Sequence, residues 1–445
     1  MRMMSAGMAG ALALGGAGMA QDGGIQLSGS TRATYESLSG QFRPGRGPND
    51  QLLTLRTIVK LEAGRERVRG VFELIDSRAW LADSDTPIST GEVNVLEPVQ
   101  AHLVFDTGGV LGARSSSLLV GRFTQDLGSR RLVGRNNFRN TTNAYTGARF
   151  VWNGKGGDRL TALWTFPQLR QPSDRDSLLD NAFAFDAERA DFNFSGLYYE
   201  RPSVIEGVNA DVFVFRLFEG EDVPGARHRR LWTPGLRLRR PPAAGTWDFE
   251  LEGGWQLGSV RASTDPVDTR DLDVSAQYLH AELGYTFDAP WRPRLKAEYE
   301  YASGDGDPQS GTFTRFDPMF GPRRFDFGPT GIYGALSRVN ISSPGLRLEA
   351  VPNDRWDGFV SYRGVWLADA ADRFDRGGSI DPSGQSGSFV GQQIEFRARY
   401  WLVPGTVRLE AGGAALIQGE FLKSAPNAPG HGDTRYGYVS MSYEF

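Results

Sequence analysis

In TWDFELEGGWQL, residues 246–257, large apolar residues recur at alternate positions: Trp247, Phe249, Leu251, Trp255 and Leu257. Between them stand Asp248, Glu250, Glu252 and Gln256. A period of two puts the sets on opposite faces of one β-strand, so this segment has an apolar face and a charged face. The pattern recurs outward in both directions. GIQLSGSTRATYE (24–36) sets Ile25, Leu27, Thr31, Ala33 and Tyr35 against Gln26, Ser28, Ser30, Arg32 and Thr34. PRLKAEYEYA (293–302) and IEFRARYWL (394–402) do the same.

A soluble sandwich and a membrane barrel share this alternation, and the count and connections of the strands separate them. Strands are expected near 24–36, 51–62, 67–75, 97–106, 116–125, 141–152, 158–166, 190–199 and 208–218. Nine more fall near 231–240, 246–257, 274–287, 293–302, 339–350, 355–367, 389–402, 405–418 and 434–445. The even-numbered connections are brief, such as EAGR, NGKGG, RPSVIEG, PPAAG and VPG. The odd ones are long and polar, including 76–96, 167–189, 303–338 and 368–388. Long loops on one side and short turns on the other predict an all-β fold. It is a single transmembrane antiparallel β-barrel of about eighteen strands, with short periplasmic turns and long extracellular loops. Greek-key sandwiches have no reason to sort their loops this way. Trp80, Trp152, Trp247, Trp291, Trp356 and Trp366 stand where interfacial girdles belong.

The first residues, MRMMSAGMAGALALGGAGMA, combine one basic residue, a short apolar run and small residues before Gln21. They read as a secretory signal, 1–20, leaving 21–445 as a barrel in the bacterial outer membrane. No later stretch approaches the ~18 continuous apolar residues of a membrane helix. Cysteine is absent, which excludes disulfides and thiolate metal sites. No cofactor is expected. His102, His228, His280 and His431 are scattered without metal-ligand spacing, His102 and His280 being expected to face the lumen. Asp305 and Asp307 in SGDGDP are weak Ca²⁺ candidates, and a solvated turn explains them better. GRGPND (45–50) lacks the lysine of a phosphate loop.

Charge is unevenly placed. The chain carries a formal charge of -4, yet residues 121–150, GRFTQDLGSRRLVGRNNFRNTTNAYTGARF, hold six arginines and one acid, Asp126. Alternation groups Arg122 with Leu118, Val120 and Thr124, and Arg149 with Tyr145 and Gly147. Both are expected to face the lumen. Arg130, Arg131, Arg135 and Arg139 sit on the connection between, which is long enough to fold inward. Guanidinium groups stay charged and grip carboxylates in pairs, so such a cluster in a narrow passage would attract anions. Any single loop arginine is equally well explained by lipopolysaccharide phosphates or a neighbouring acid.

Two blocks resemble the alginate export porin family. One is the GR, LGSRRLVG and RNTTNAYTGARF series above. The other is YASGDGDPQSGTFTRFDPMFG (301–321), followed by NISSPGLRLE and VWLADAADRF in the family's order. TRFDPMFGPRRFDFG departs from that pattern, being longer and more basic than the connection in many members. The final TRYGYVSMSYEF, ending on Phe445, also resembles the insertion signal read by the barrel-insertion machinery. The resemblance implies an arginine-rich, electropositive constriction in a monomeric export porin. Its partners would be an anionic polysaccharide or small anionic solute and the lipid and lipopolysaccharide of the outer membrane, with no nucleic acid. The leading expectation is export of alginate or a related uronic-acid polysaccharide. A porin for small carboxylates or general solutes is the alternative. A barrel enzyme lacks a converging nucleophile, base and acid in this sequence, and a plugged lumen would favour a purely structural barrel.

Overall fold

The computed structural model describes residues 24–445 apart from 222, 224, 225, 266 and 308; the signal segment and its cleavage point lie outside the described residues. Eighteen barrel strands are present among the described residues. They begin with β1 Ile25–Ser39, β2 Asn49–Arg65, β3 Val68–Trp80, β4 Asn94–Gly108, β5 Ser115–Phe123 and β6 Tyr145–Asn153. Then come β7 Arg159–Pro167, β8 Phe192–Ile205, β9 Val208–Glu219, β10 Arg230–Arg240, β11 Thr246–Arg261 and β12 Asp271–Thr286. β13 Arg294–Ala302, β14 Ile341–Asn353, β15 Trp356–Trp366, β16 Phe389–Val403, β17 Val407–Gln418 and β18 Thr434–Glu444 complete the ring. Each pairs antiparallel with its neighbours in sequence, and β1 pairs with β18, so the sheet closes and leaves no edge. A two-residue strand, Thr312–Phe313, lies parallel to the extracellular end of β12.

The two faces of β11 show which side meets lipid. Trp247 and Trp255 are 59% and 60% exposed, whereas Asp248, Glu252 and Gln256 are buried. The apolar face therefore points out and the charged face in, as a barrel in hydrocarbon requires. Trp247, Tyr285 and Phe287 pack edge to edge at the turn end, and Trp356 packs on Tyr400. The seam is sealed by Phe445, whose backbone exchanges hydrogen bonds of 2.9 and 3.0 Å with Gly29. The Phe445 ring lies where a Cβ on residue 29 would be, so glycine is required there.

Two expected turns prove to be strand. EAGR belongs to β2 and RPSVI to β8; the hairpins close on two residues each, 66–67 and 206–207. Glu66 and Gly207 take the left-handed φ values, 54° and 73°, that such tight hairpins need. On the other rim the long loops turn inward. Phe42 from 40–48, Leu132 and Val133 from 124–144, and Phe316, Phe327 and Tyr333 from 303–340 join one buried cluster with wall residues such as Phe194 and Leu416. At roughly 1.5–3 kcal/mol for each large apolar side chain buried, these contacts give the loops ample reason to leave the surface.

Candidate functional site

The 124–144 loop crosses the lumen, held at several points. On one side Arg135 is bound to Glu73 of β3. On the other, Arg131 reaches Glu250 and Glu252 of β11, the latter at 3.1 Å. Between them, Arg32 of β1 donates to the Phe138 carbonyl at 2.6 Å, and Arg56 of β2 donates to the Asn137 and Arg139 carbonyls at 3.1 and 3.2 Å.

The 303–340 loop locks onto it. Phe320 N–H donates to the Leu132 carbonyl at 3.0 Å, and Asp326, in the helical turn Arg324–Phe327, bridges Arg131 at 3.3 Å and Arg338 at 2.5 Å. A Cβ at Gly321 would stand 1.8 Å from the Arg131 carbonyl oxygen, so only glycine lets the loops approach. Burial works against the Arg131 charge, but Asp326, Glu250 and Glu252 outweigh it and hold the guanidinium above its ordinary value. Burial likewise opposes ionised Asp326, yet Arg131 and Arg338 hold its carboxyl well below the usual carboxylate range.

Against these loops lies a cavity of about 1900 Å³, which extends to residues at the turn end such as Gly405 and Phe445. Twenty-one of its described lining residues are Lys or Arg and eleven are Asp or Glu. Positive charge is thus concentrated in the lumen of a chain whose net charge is -4. Its densest part is a cross-strand row. Arg408 of β17 faces Ser442 of β18, Ser442 faces Arg32, and Arg32 faces Arg56. Like charges directly opposite each other destabilise a sheet. Among the described residues none of these three arginines has a carboxylate within ion-pair distance; Arg32 and Arg56 are met by loop carbonyls instead. Their alternation with apolar neighbours was readable from the chain, but they are spread over 376 positions and form no local cluster.

The arginines expected from residues 121–150 divide. Arg130, Arg131, Arg135, Arg139 and Arg149 line the cavity. Arg130 stacks on Phe325 at 4.0 Å, and Arg149 donates to Gln125 at 2.8 Å. Arg122 is a correction. It shares the outward row of β5 with Val120, 45% exposed, and lies across from exposed Ala101, while Leu119 and Phe123 line the cavity. Its charge is met by Glu97 and by Glu188 at 2.7 Å, and it is absent from the cavity wall. The parity failed because at this height the lumen is filled with apolar loop residues, so an apolar side chain no longer marks the lipid side.

His102 lines the cavity. His280 is buried with Glu300 and Asp326 in a group close enough to share a metal ion. Those carboxylates already hold Arg131 and Arg338, whose charges oppose a cation. Asp305 and Asp307 do not converge: Asp305 accepts from Thr314, and Asp307 accepts from Gln309 N–H in its own turn.

The sequence matches the family described as Alginate export over residues 24–434. The chain belongs to that family. No curated protein matches it. Among solved structures it resembles Pseudomonas aeruginosa OccK8 (OprE), at 12% identity and TM-score 0.57, covering 95% of this chain and 98% of that one. OpdQ of the same organism is similar at 14% identity and TM-score 0.56, with 95% and 97% covered. OccK2 (OpdF) in complex with glucuronate is similar at 13% identity and TM-score 0.55, with 95% and 96% covered. These likenesses are of fold. Family and closed barrel together make this member an outer-membrane porin.

Proposed function

We propose that the porin passes alginate or a related uronic-acid polysaccharide outward, its carboxylates drawn through the arginine-lined cavity. The observation that carries this is the excess of twenty-one basic over eleven acidic side chains around one lumen. Guanidiniums there act across a restricted, partly desolvated space, where charges are screened less than on an open surface. Arg32, Arg56 and Arg408 form the centre of the device; Arg130, Arg139 and Arg149 extend it, and Arg131 and Arg135 hold the loop that narrows it. Glucuronate, bound by the similarly folded OccK2, is a single sugar of this chemistry.

The test is planar-bilayer recording on the purified protein. Currents are expected to be anion-selective, and an oligouronate is expected to block them more strongly than a neutral oligosaccharide of equal length. Cation selectivity would reject the reading. A second reading, a channel for small carboxylates, is favoured by the two loops that fill much of the extracellular half of the lumen. Anion selectivity with no preference for oligouronate would establish it.

A further inference from the structure

Above the cavity the lumen narrows to a neck of about 10 Å³, lined by Thr34, Glu36, Thr54, Glu92, Phe138, Arg139, Asn140 and Gly331. Thr34, Phe138 and Arg139 line both spaces, so the neck continues the cavity toward the outside. Beyond it five outer loops each contribute one arginine. Arg139 and Arg170 donate to the same acceptor, Asn143 Oδ1, at 3.0 and 2.7 Å. Arg43 donates to the Ile332 and Tyr333 carbonyls at 2.9 and 2.6 Å, and Arg323 donates to the nearby Gly334 carbonyl at 3.2 Å. Arg376, exposed on the 367–388 loop, is the like charge that weighs most on both Arg43 and Arg323.

Among the described residues, none of the five has a carboxylate within ion-pair distance. The acid that acts on Arg43, Arg139, Arg170 and Arg323 together is Glu92, in the neck itself. We propose that Arg43, Arg139, Arg170, Arg323 and Arg376 form a second, extracellular binding site for a carboxylate-bearing saccharide, divided from the cavity by the Glu36–Glu92 neck. Burial first, and then neighbouring guanidiniums, push Arg43 and Arg323 down to about 9. Such a group gains more from an arriving anion than a solvated arginine does. The five surround the neck rather than the outer wall, which favours a solute on the pore axis over a phosphate of the surrounding lipid. A chain leaving the cavity would pass the neck's acids and be received by this second set of cations.

The inference rests on the proposed uronate transport, and block from each side tells the two apart. The probe is a short oligogalacturonate added to one chamber at a time, with the full-length protein inserted in one orientation. For the unmodified protein, block is expected from both sides. Arg376→Gln with Arg323→Gln is expected to weaken extracellular block about tenfold and leave periplasmic block unchanged. Arg376→Gln alone, at an exposed position, guards against misfolding and should weaken it severalfold. Glu92→Gln removes the competing acid and should strengthen extracellular block. Periplasmic block that persists while extracellular block is absent, or ignores these variants, would overturn the second site alone. No block from either side would overturn uronate transport itself. A variant effect seen only with lipopolysaccharide in the bilayer would assign the arginines to lipid phosphate and overturn the saccharide site.

Discussion

Arg131 joins three elements through one guanidinium, taking carboxylates from β11 and from the 303–340 loop. Removing one partner of a buried charge network leaves the others uncompensated, at a cost of about 3–5 kcal/mol. Arg131→Met is therefore expected to lower the temperature of barrel unfolding on heat-modifiability gels; an unchanged midpoint would contradict the anchoring role. Asp326 sets the pH behaviour of the same network. Its carboxyl is held below the ordinary value, so its stabilisation is full above that value and lost as pH falls through the folded one. The loops should stay docked through mild acid, and single-channel conductance should rise only in strong acid. The arginine row makes a separate demand. Replacing Arg32, Arg56 and Arg408 with serine should reduce reversal-potential anion selectivity severalfold while the barrel still folds, because lumen positions tune selectivity rather than membrane burial. At this scale the sequence was only partly legible. Arg130, Arg131, Arg135, Arg139 and Arg149 were found because they crowd a short stretch. Arg43, Arg408 and Arg376 were missed because only the closed fold and its inward loops bring them to one lumen.

The strands were legible as elements because lipid imposes one rule along every one of them. Their ends were not, as EAGR and RPSVIEG show, since two-residue hairpins allow pairing to run past the polar residues that look like loop. Nor could alternation say that the 124–144 and 303–340 loops meet inside the barrel; their contacts are between backbone and single arginines far apart in the chain. Gly321 reports on that junction. Gly321→Val sets a side chain against the Arg131 carbonyl and should separate the two loops, with a loss of stability of about 1–3 kcal/mol. Trimming the tip of the 124–144 loop is expected to raise single-channel conductance severalfold yet keep anion preference, because the wall row remains. Loss of anion preference on trimming would move the selectivity onto the loop.

For the whole molecule, net charge misleads: a chain at -4 hides a positive interior. The seam between Gly29 and Phe445 is the other global feature, and deleting Phe445 should lower the yield of heat-modifiable barrel in cell envelopes. The way the inward loop is held also bears on biosynthesis. Its first anchors, Arg32, Arg56 and Glu73, precede it in the chain, and its remaining ones, Glu250, Glu252 and Asp326, follow long after. A nascent chain that stops at mid-length therefore presents Arg131 with none of its acids and β1 with no partner at its outer edge. Such a fragment has no stable resting place and stays a substrate for periplasmic chaperones and proteases. Completion of the polypeptide is thereby checked by charge, in one cooperative step, before the membrane is committed to a hole.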